Sequence, residues 1–250
     1  MIFTIATREL RSLFLSPLAW VILAVTQLLL AWVFLNAMDV FFSLQAKLAT
    51  IPNAPGVTDL VVSPLLETAS ILLLIISPLL TMRLLSEERR NRTLDLLIAS
   101  PLSITEIVLG KYLGIVLFML LYILMLSLMP LALETGTSLD IGKMLSGFFG
   151  LFLLLGAICA AGLYMSSLTD NPVIAAISSF GLLLLLWLMN NHGATQADSS
   201  SVLNYLAITS HMSVFLRGLV RTADISYYLL FIVGFLVLTI RQLETRRLQA

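Results

Sequence analysis

Long apolar stretches alternate with short polar segments along the whole chain. Six of the apolar stretches are bounded by charged residues, proline or glycine, and most approach the ~20 residues that a membrane-spanning helix needs. They comprise residues 17–37, 65–82, 112–133, 144–166, 172–190 and 225–240. This pattern predicts an all-α polytopic membrane protein, in which residues 1–250 form a single transmembrane domain with six spans.

The composition agrees with a membrane protein and excludes two other classes. Hydrophobic residues make up 59% of the chain, charged residues make up only 11%, and the mean hydropathy is +1.03. Soluble domains have roughly 45–50% apolar and about 25% charged residues, so a soluble globule of this size would expose large apolar patches. Disorder is excluded because disordered chains are poor in apolar residues. Six spans also leave no room for a separate soluble catalytic domain.

The placement of basic residues predicts the orientation of the chain, although the net charge is zero and indicates no nucleic-acid partner. Ten of the fourteen fall on one side of the predicted spans, namely Arg8, Arg11, Arg83, Arg89, Arg90, Arg92, Lys111, Arg241, Arg246 and Arg247. The other four are Lys47, Lys143, Arg217 and Arg221. Because cytoplasmic loops carry the excess of Lys and Arg, we expect both termini in the cytoplasm and the chain in the inner membrane.

Residues 1–16 have the pattern of an amphipathic helix. Apolar residues recur at helical spacing, and Arg8, Glu9 and Arg11 lie on the other side. A helix of this kind lies in the plane of the membrane interface, and Pro17 ends it so that the chain can turn into the bilayer. The alternative is an extension of the first span.

The two long segments on the opposite side of the membrane differ in character. Residues 38–64 contain four prolines or glycines and predict a loop with little regular structure. Residues 191–224 begin with a polar, serine-rich part and continue with mixed apolar and polar residues. The second part predicts short amphipathic helices between the fifth and sixth spans.

The most informative polar segment is residues 83–111, between the second and third spans. A charged cluster comes first, and Thr93 then has the position of a cap for a short helix that Pro101 ends. Ser103 and Glu106 have the spacing of a capping box, which starts a helix that continues into the third span. This segment is either a stiff amphipathic element that transmits displacement into the spans or a solvated interfacial loop.

The order of residues in this segment resembles the intracellular loop of type-2 ABC transporter permeases, most closely the gliding-motility-associated permeases. The matching residues are Glu87-Glu88, Arg89-Arg90, Thr93, Leu94-Asp95-Leu96-Leu97, Pro101-Leu102-Ser103 and Gly110-Lys111. Further similarities are Arg8-Glu9-Leu10-Arg11 before Ser16-Pro17, and His211, Phe215 and Arg217-Gly218 before the sixth span. Arg92 departs from the pattern, because the family usually has glycine there.

The resemblance implies a fold and a mode of action. The fold has six spans, an N-terminal interfacial helix, a cytoplasmic coupling helix within residues 89–100 and short outer helices before the sixth span. Two permease copies would pair and dock two ATPase subunits, which bind ATP and Mg²⁺, and an auxiliary membrane protein with an outer domain would join them. Leu94, Leu96 and Leu97 would fill a groove on the ATPase, with Glu87, Glu88, Arg89 and Arg90 at its rim.

The chain itself carries no phosphate-binding loop and is expected not to be an enzyme or to bind a cofactor. Its two Gly-Lys pairs have Thr105 and Thr137 where the Walker A motif requires glycine. The pair Glu87-Glu88 with Arg92 also fits part of a membrane-protease motif, but both histidines are predicted on the opposite side of the membrane.

An autonomous transporter or channel is the alternative function. No predicted span has a central Asp, Glu, Lys or Arg to relay ions, which favours an ATP-driven permease. We expect such a permease to export a substrate or to transmit force across the membrane. Gly156 and Ala160 form a small-xxx-small spacing that lets helices pack closely. The lone Cys159 excludes an internal disulfide, and no metal site is predicted.

Overall fold

The computed structural model describes residues 1–48, 55–94, 102–134, 137, 139–192 and 207–247. These residues form nine α-helices and one π-helical turn, with no strand among them. We number the helices α1 (Ile2–Leu15), α2 (Pro17–Leu48), α3 (Ser63–Thr81), α4 (Arg83–Arg90), α5 (Ile104–Leu131), α6 (Ile141–Leu168), α7 (Pro172–His192), α8 (Ile208–Leu216) and α9 (Thr222–Arg247). The π-helical turn, Thr58–Val62, leads directly into α3.

Six helical segments are long and apolar enough to cross a membrane, which confirms the predicted all-α class with six spans. They are Pro17–Gln45, Thr58–Arg90, Ile104–Leu131, Ile141–Leu168, Pro172–Met189 and Thr222–Arg247. Helix α6 is the central one, because 83% of its most apolar stretch is buried, against 17% for α7 and 28% for α2 and α9. It packs against α3, α5, α7, α8 and α9, so the core of the fold surrounds this helix.

Small residues explain why α6 occupies the centre. A Cβ atom at Gly150 would lie 2.6 Å from Phe215 of α8, and one at Gly156 would lie 3.0 Å from the Tyr112 hydroxyl of α5. That hydroxyl donates a hydrogen bond of 3.2 Å to the Gly156 carbonyl. Ala160, one turn further on, is fully buried. The absence of larger side chains therefore lets neighbouring helices approach the backbone of α6.

Several helices are longer than the apolar pattern predicted. Helix α2 continues to Leu48, and residues 55–64 are mostly helical, so the expected loop over residues 38–64 is wrong for most of its described part. The prolines that suggested a loop all follow Leu48, whereas residues 38–48 contain neither proline nor glycine. The sixth span also extends from Thr222 to Arg247, beyond the predicted 225–240.

The start of α5 confirms the predicted capping box. The Ser103 hydroxyl accepts a hydrogen bond of 3.1 Å from the Glu106 backbone N–H, and the Glu106 carboxylate accepts one of 3.1 Å from the Ser103 N–H. Two of the free donors at the helix N-terminus are thereby satisfied. The third span therefore begins at Ile104, eight residues before the apolar stretch predicted at residue 112.

Helix α8 closes the bundle at the end opposite α4. The Ser146 hydroxyl of α6 donates a hydrogen bond of 3.0 Å to the Phe215 carbonyl, and the Tyr228 hydroxyl of α9 donates one of 2.8 Å to the Ile208 carbonyl. His211 Nδ1 lies 2.5 Å from Asp224 Oδ1, and both side chains are buried. These contacts join α8 to α6 and to the start of the sixth span.

Candidate functional site

Four charged side chains from three helices meet at the end of the bundle that carries α1 and α4. The ammonium group of Lys111, on α5, lies 2.8 Å from Glu9 Oε1 of α1 and 2.8 Å from Glu88 Oε1 of α4. Arg8 Nη2 lies 3.8 Å from the same Glu88 oxygen. We call Arg8, Glu9, Glu88 and Lys111 the Lys111 cluster. It joins the N-terminal helix to the segment that precedes the predicted coupling helix.

A close approach of α1 to α5 brings Glu9 to Lys111. A Cβ atom at Gly110 would lie 2.6 Å from the Ile5 side chain, and one at Gly114 would lie 2.7 Å from Glu9 Cβ. Gly110 and Gly114 form a glycine-xxx-glycine spacing on one face of α5, which allows two helix backbones to come together. Lys111 follows Gly110 directly, so its stem starts at the same interface.

The charges of the Lys111 cluster balance, and its members are largely buried except for the exposed Arg8. Lys111 is 1% exposed, and the side chains of Glu9 and Glu88 are 13% and 15% exposed. Two carboxylates face one ammonium and one guanidinium, and Glu88 Oε2 has no hydrogen-bond partner among the described residues. Removing one partner from such a group leaves a buried charge uncompensated, at a cost of roughly 3–5 kcal/mol. The relative positions of α1, α4 and α5 are therefore energetically linked.

The other side of α4 is attached to the junction of α6 and α7. The Arg89 guanidinium donates a hydrogen bond of 2.7 Å to the Ser167 carbonyl and forms an ion pair with Asp170. Its side chain is only 9% exposed. Because Glu88 and Arg89 are adjacent, α4 is held on one side by α1 and α5 and on the other by α6 and α7.

Ser166 of α6 connects the two halves of the second span at the break between α3 and α4. Its hydroxyl oxygen accepts hydrogen bonds of 3.1 and 3.0 Å from the N–H groups of Leu85 and Ser86. The same hydroxyl donates a bond of 2.8 Å to the Met82 carbonyl. Backbone groups at the break are thus satisfied by α6, as a buried helix end requires.

The chain leaves α4 through a left-handed turn. The Asn91 N–H donates a hydrogen bond of 2.9 Å to the Glu87 carbonyl, and Arg92 has φ +56°. The Thr93 hydroxyl donates one of 3.2 Å to the Glu88 carbonyl, and Leu94 is 3% exposed. Position 92 is where the resembling permeases have glycine, the residue that adopts this conformation without steric cost. Arg92 therefore replaces the usual glycine of the resembling permeases at a position whose backbone conformation favours glycine.

Comparison with protein families identifies the chain. The model for the ABC-2 family transporter protein matches residues 3–248. The chain belongs to the ABC-2 family of transporter proteins. No curated protein matches it. Membership, together with six apolar helices, establishes a multi-pass membrane protein of the permease type, and the family implies that an ABC ATPase subunit works with it.

In this ABC-2 permease, the residues predicted at the ATPase rim fall into two groups. Glu88 and Arg89 point into the permease and have the partners described above. Glu87 is partly exposed and pairs with Arg83, with Nε and Oε2 2.7 Å apart, and Arg90 is exposed. Asp95, Leu96, Leu97 and Pro101 lie outside the described residues, so the proposed coupling helix stays a prediction.

Sequence reasoning did not find the central residues of the site in this ABC-2 permease. Arg8 and Lys111 contributed to the predicted orientation, Arg8 and Glu9 to the amphipathic pattern, and all three to the family resemblance, but no contact among them was predicted. The glycine-xxx-glycine spacing at 110–114 was available in the sequence and would have indicated a helix interface. Nothing in a single sequence indicates which helix packs there, because Glu9 and Lys111 are 102 positions apart.

Proposed function

We propose that this chain is the membrane-spanning subunit of an ATP-driven ABC exporter. It pairs as a dimer, with a second copy or a close homologue, and a separate ABC ATPase drives it. ATP and Mg²⁺ are bound by that ATPase, and this chain binds no cofactor and catalyses no reaction. An auxiliary membrane protein with an outer domain is proposed on the resemblance to gliding-motility-associated permeases alone.

The observation that carries this proposal is the double attachment of α4. Residues 83–94 overlap the start of the predicted coupling helix, residues 89–100, and adjacent side chains hold them to α1 and α5 through Glu88 and to the α6–α7 junction through Arg89. A displacement applied by the ATPase beyond Leu94 would be transmitted through these contacts to several spans at once. A solvated loop would dissipate the same displacement, since its backbone has no fixed partners.

The basic residues at this end of the molecule also support the proposed orientation of the chain in the membrane. Helices α1 and α4 carry five of the seven arginine and lysine residues that precede the third span, and Lys111 lies in the first turns of that span. By the positive-inside rule this charged end faces the cytoplasm, where the ATPase binds. Both termini then lie in the cytoplasm, and the spans cross the inner membrane.

Co-purification with an ABC ATPase encoded beside this chain tests the proposal. We expect a stable complex, and we expect Asp95→Arg and Leu96→Asp to remove the effect of the permease on ATP hydrolysis while membrane insertion is retained. Thr245→Asp is the matched control, because it adds a charge at an exposed position near the end of α9. If no ATPase associates and the purified chain alone moves ions or solutes in vesicles, the chain is an autonomous transporter or channel.

A further inference from the structure

A basic pocket lies at the corner where α1 turns into α2. Its volume is about 680 Å³, and Arg8, Arg11 and Arg83 line it together with Leu15 and Leu18. None of its described lining residues is acidic. The pocket therefore combines positive charge with apolar side chains at the place where the chain enters the membrane.

Two of the three guanidinium groups can donate hydrogen bonds to an added anion. Arg11 is exposed and has no ion-pair partner among the described residues. Arg8 has a side chain that is 64% exposed, and its nearest carboxylate, Glu88, is 3.8 Å away and already contacts Lys111. Arg83 is fixed at the corner by a hydrogen bond of 2.8 Å to the Ser16 hydroxyl and by its pairing with Glu87. Arginine binds phosphate groups well because its donors form a planar fork.

An exposed apolar stripe on α2 begins at this pocket. Its residues recur every three or four positions and so share one helix face, and each is between 37% and 70% exposed. They are Leu18, Val21, Val25, Leu28 and Trp32. The stripe rises roughly 21 Å along the helix at ~1.5 Å per residue, which exceeds the roughly 15 Å of hydrocarbon in one leaflet. An acyl chain can therefore follow it from the pocket to the bilayer centre.

We propose that this corner binds an anionic phospholipid of the cytoplasmic leaflet. The phosphate contacts Arg8 and Arg11, and an acyl chain lies along the α2 stripe. A soluble anion matches only the charge of the pocket, and a zwitterionic lipid matches chiefly the stripe, whereas an anionic lipid matches both. The proposal requires that the charged end face the cytoplasm, but it does not depend on the ATPase.

The bound lipid would lie beside the Lys111 cluster. Arg8 and Arg83 also line a second pocket of about 220 Å³, whose other residues include Glu9, Glu88 and Lys111. A headgroup on Arg8 would compete with Glu88 for that guanidinium, because one side chain cannot approach both closely. We therefore expect the lipid to affect the position of α1 relative to α4.

Quenching of Trp20 fluorescence by brominated lipids tests the proposal. Trp20 is 56% exposed and is held near the corner by a hydrogen bond of 2.7 Å from its indole N–H to the Phe14 carbonyl. Trp32→Phe and Trp187→Phe leave it as the single tryptophan of the full chain, because the sequence has three. The protein is reconstituted in two mixtures of the same lipid composition. In the first only phosphatidylglycerol is dibrominated, and in the second only phosphatidylcholine is dibrominated. We expect phosphatidylglycerol to quench more than its mole fraction predicts.

Substitution of the pocket arginines should weaken the preference for phosphatidylglycerol over phosphatidylcholine. Arg11→Gln should lower the preference for phosphatidylglycerol about fivefold, and Arg8→Gln with Arg11→Gln roughly 25-fold, since each basic residue near an anionic surface contributes about that factor. Arg11→Gln keeps the Lys111 cluster intact, so it remains informative if the double variant misfolds. The control is Arg241→Gln with Arg247→Gln, two exposed arginines near the end of α9, which should leave the preference unchanged.

Three outcomes would overturn the proposal. The first is equal quenching by the two lipids, or a preference that survives Arg11→Gln. The second is loss of the preference on adding millimolar glycerol phosphate, which would indicate a site for soluble phosphate. The third is efficient disulfide formation between copies of Val25→Cys, in a Cys159→Ser background, in phosphatidylglycerol vesicles. That result would make the stripe an interface between copies of the chain.

Discussion

Glu9 of α1 and Lys111 of α5 are 102 positions apart in the sequence, and their charged atoms lie 2.8 Å apart in the structure. The second carboxylate on this ammonium, that of Glu88, comes from the segment that leads to the predicted coupling helix. One buried lysine thus joins the N-terminal helix, the charged segment between the second and third spans, and the third span itself. Such a junction is suited to transmitting movement between that segment and the spans.

Substitution of Lys111 should strongly destabilise the protein. Lys111→Met removes the ammonium group that the largely buried Glu9 and Glu88 share, and we expect the free energy of unfolding to fall by about 3–5 kcal/mol. Denaturant unfolding in detergent micelles measures it. Arg241→Met is the control, because Arg241 is 79% exposed and lies 3.8 Å from Glu244, so its loss should cost no more than about 1 kcal/mol. Equal stability of Lys111→Met and the native chain would show that the cluster is not a buried structural element.

The glycine interface between α1 and α5 should not tolerate a large side chain. Gly114→Leu would place atoms against Glu9 Cβ and the Ala6 carbonyl, which lie 2.7 and 3.1 Å from an added Cβ. We expect α1 to separate from α5. The separation can be measured with Ile5→Cys in a Cys159→Ser background, because Ile5 is a buried position on α1. We expect a maleimide to label this cysteine faster when α1 has moved away from α5.

Gly234→Leu is the matched control for this interface. Gly234 lies in α9, and an added Cβ there meets no atom within 4 Å. The label at Ile5→Cys should react as slowly as in the parent protein. Slow labelling in Gly114→Leu as well would contradict the close packing of the two helices.

Local features of the fold were predictable, because a few neighbouring residues determine them. The six apolar stretches and the Ser103–Glu106 capping box are of this kind, and the structure confirms both. The ends of α2 and α9 were placed too early, since apolarity marks the part of a helix inside the bilayer rather than the whole helix. A helix can continue beyond its apolar stretch where proline and glycine are absent, as it does over residues 38–48.

The arrangement of the helices was not predictable from a single chain. Amphipathicity indicated that residues 1–16 have one apolar face, but that face could contact lipid or protein. In the structure Ile5 and Ala6 pack against Gly110 and Gly114, so part of the face is an interhelical contact. The resemblance implies contacts with the ATPase for Glu87, Glu88, Arg89 and Arg90 together, whereas Glu88 and Arg89 have partners within the chain.

The two neighbouring arginines of α4 should have different roles in a complex with the ATPase. Arg89→Gln removes the bond to the Ser167 carbonyl and the pair with Asp170, so we expect a lower Tm and weaker stimulation of ATP hydrolysis with unchanged ATPase affinity. Arg90 is exposed, so Arg90→Gln should leave Tm unchanged and lower the affinity for the ATPase. Thermal unfolding and titration of the ATPase separate the effects. Identical behaviour of the two variants would contradict the assignment of Arg89 to an internal contact.

The left-handed turn after α4 predicts a stabilising substitution. Arg92 has φ +56°, a conformation that costs a residue with a side chain roughly 1–2 kcal/mol and costs glycine nothing. Glycine loses about 0.5–1 kcal/mol more backbone entropy on folding, so Arg92→Gly should stabilise the protein by about 0.5–1 kcal/mol, measured as a higher Tm. Arg92→Ala removes the same guanidinium but retains Cβ, and it should give no gain. If Arg92→Ala stabilises as much as Arg92→Gly, the gain comes from removing charge beside Arg89 and Arg90, and the backbone argument is wrong.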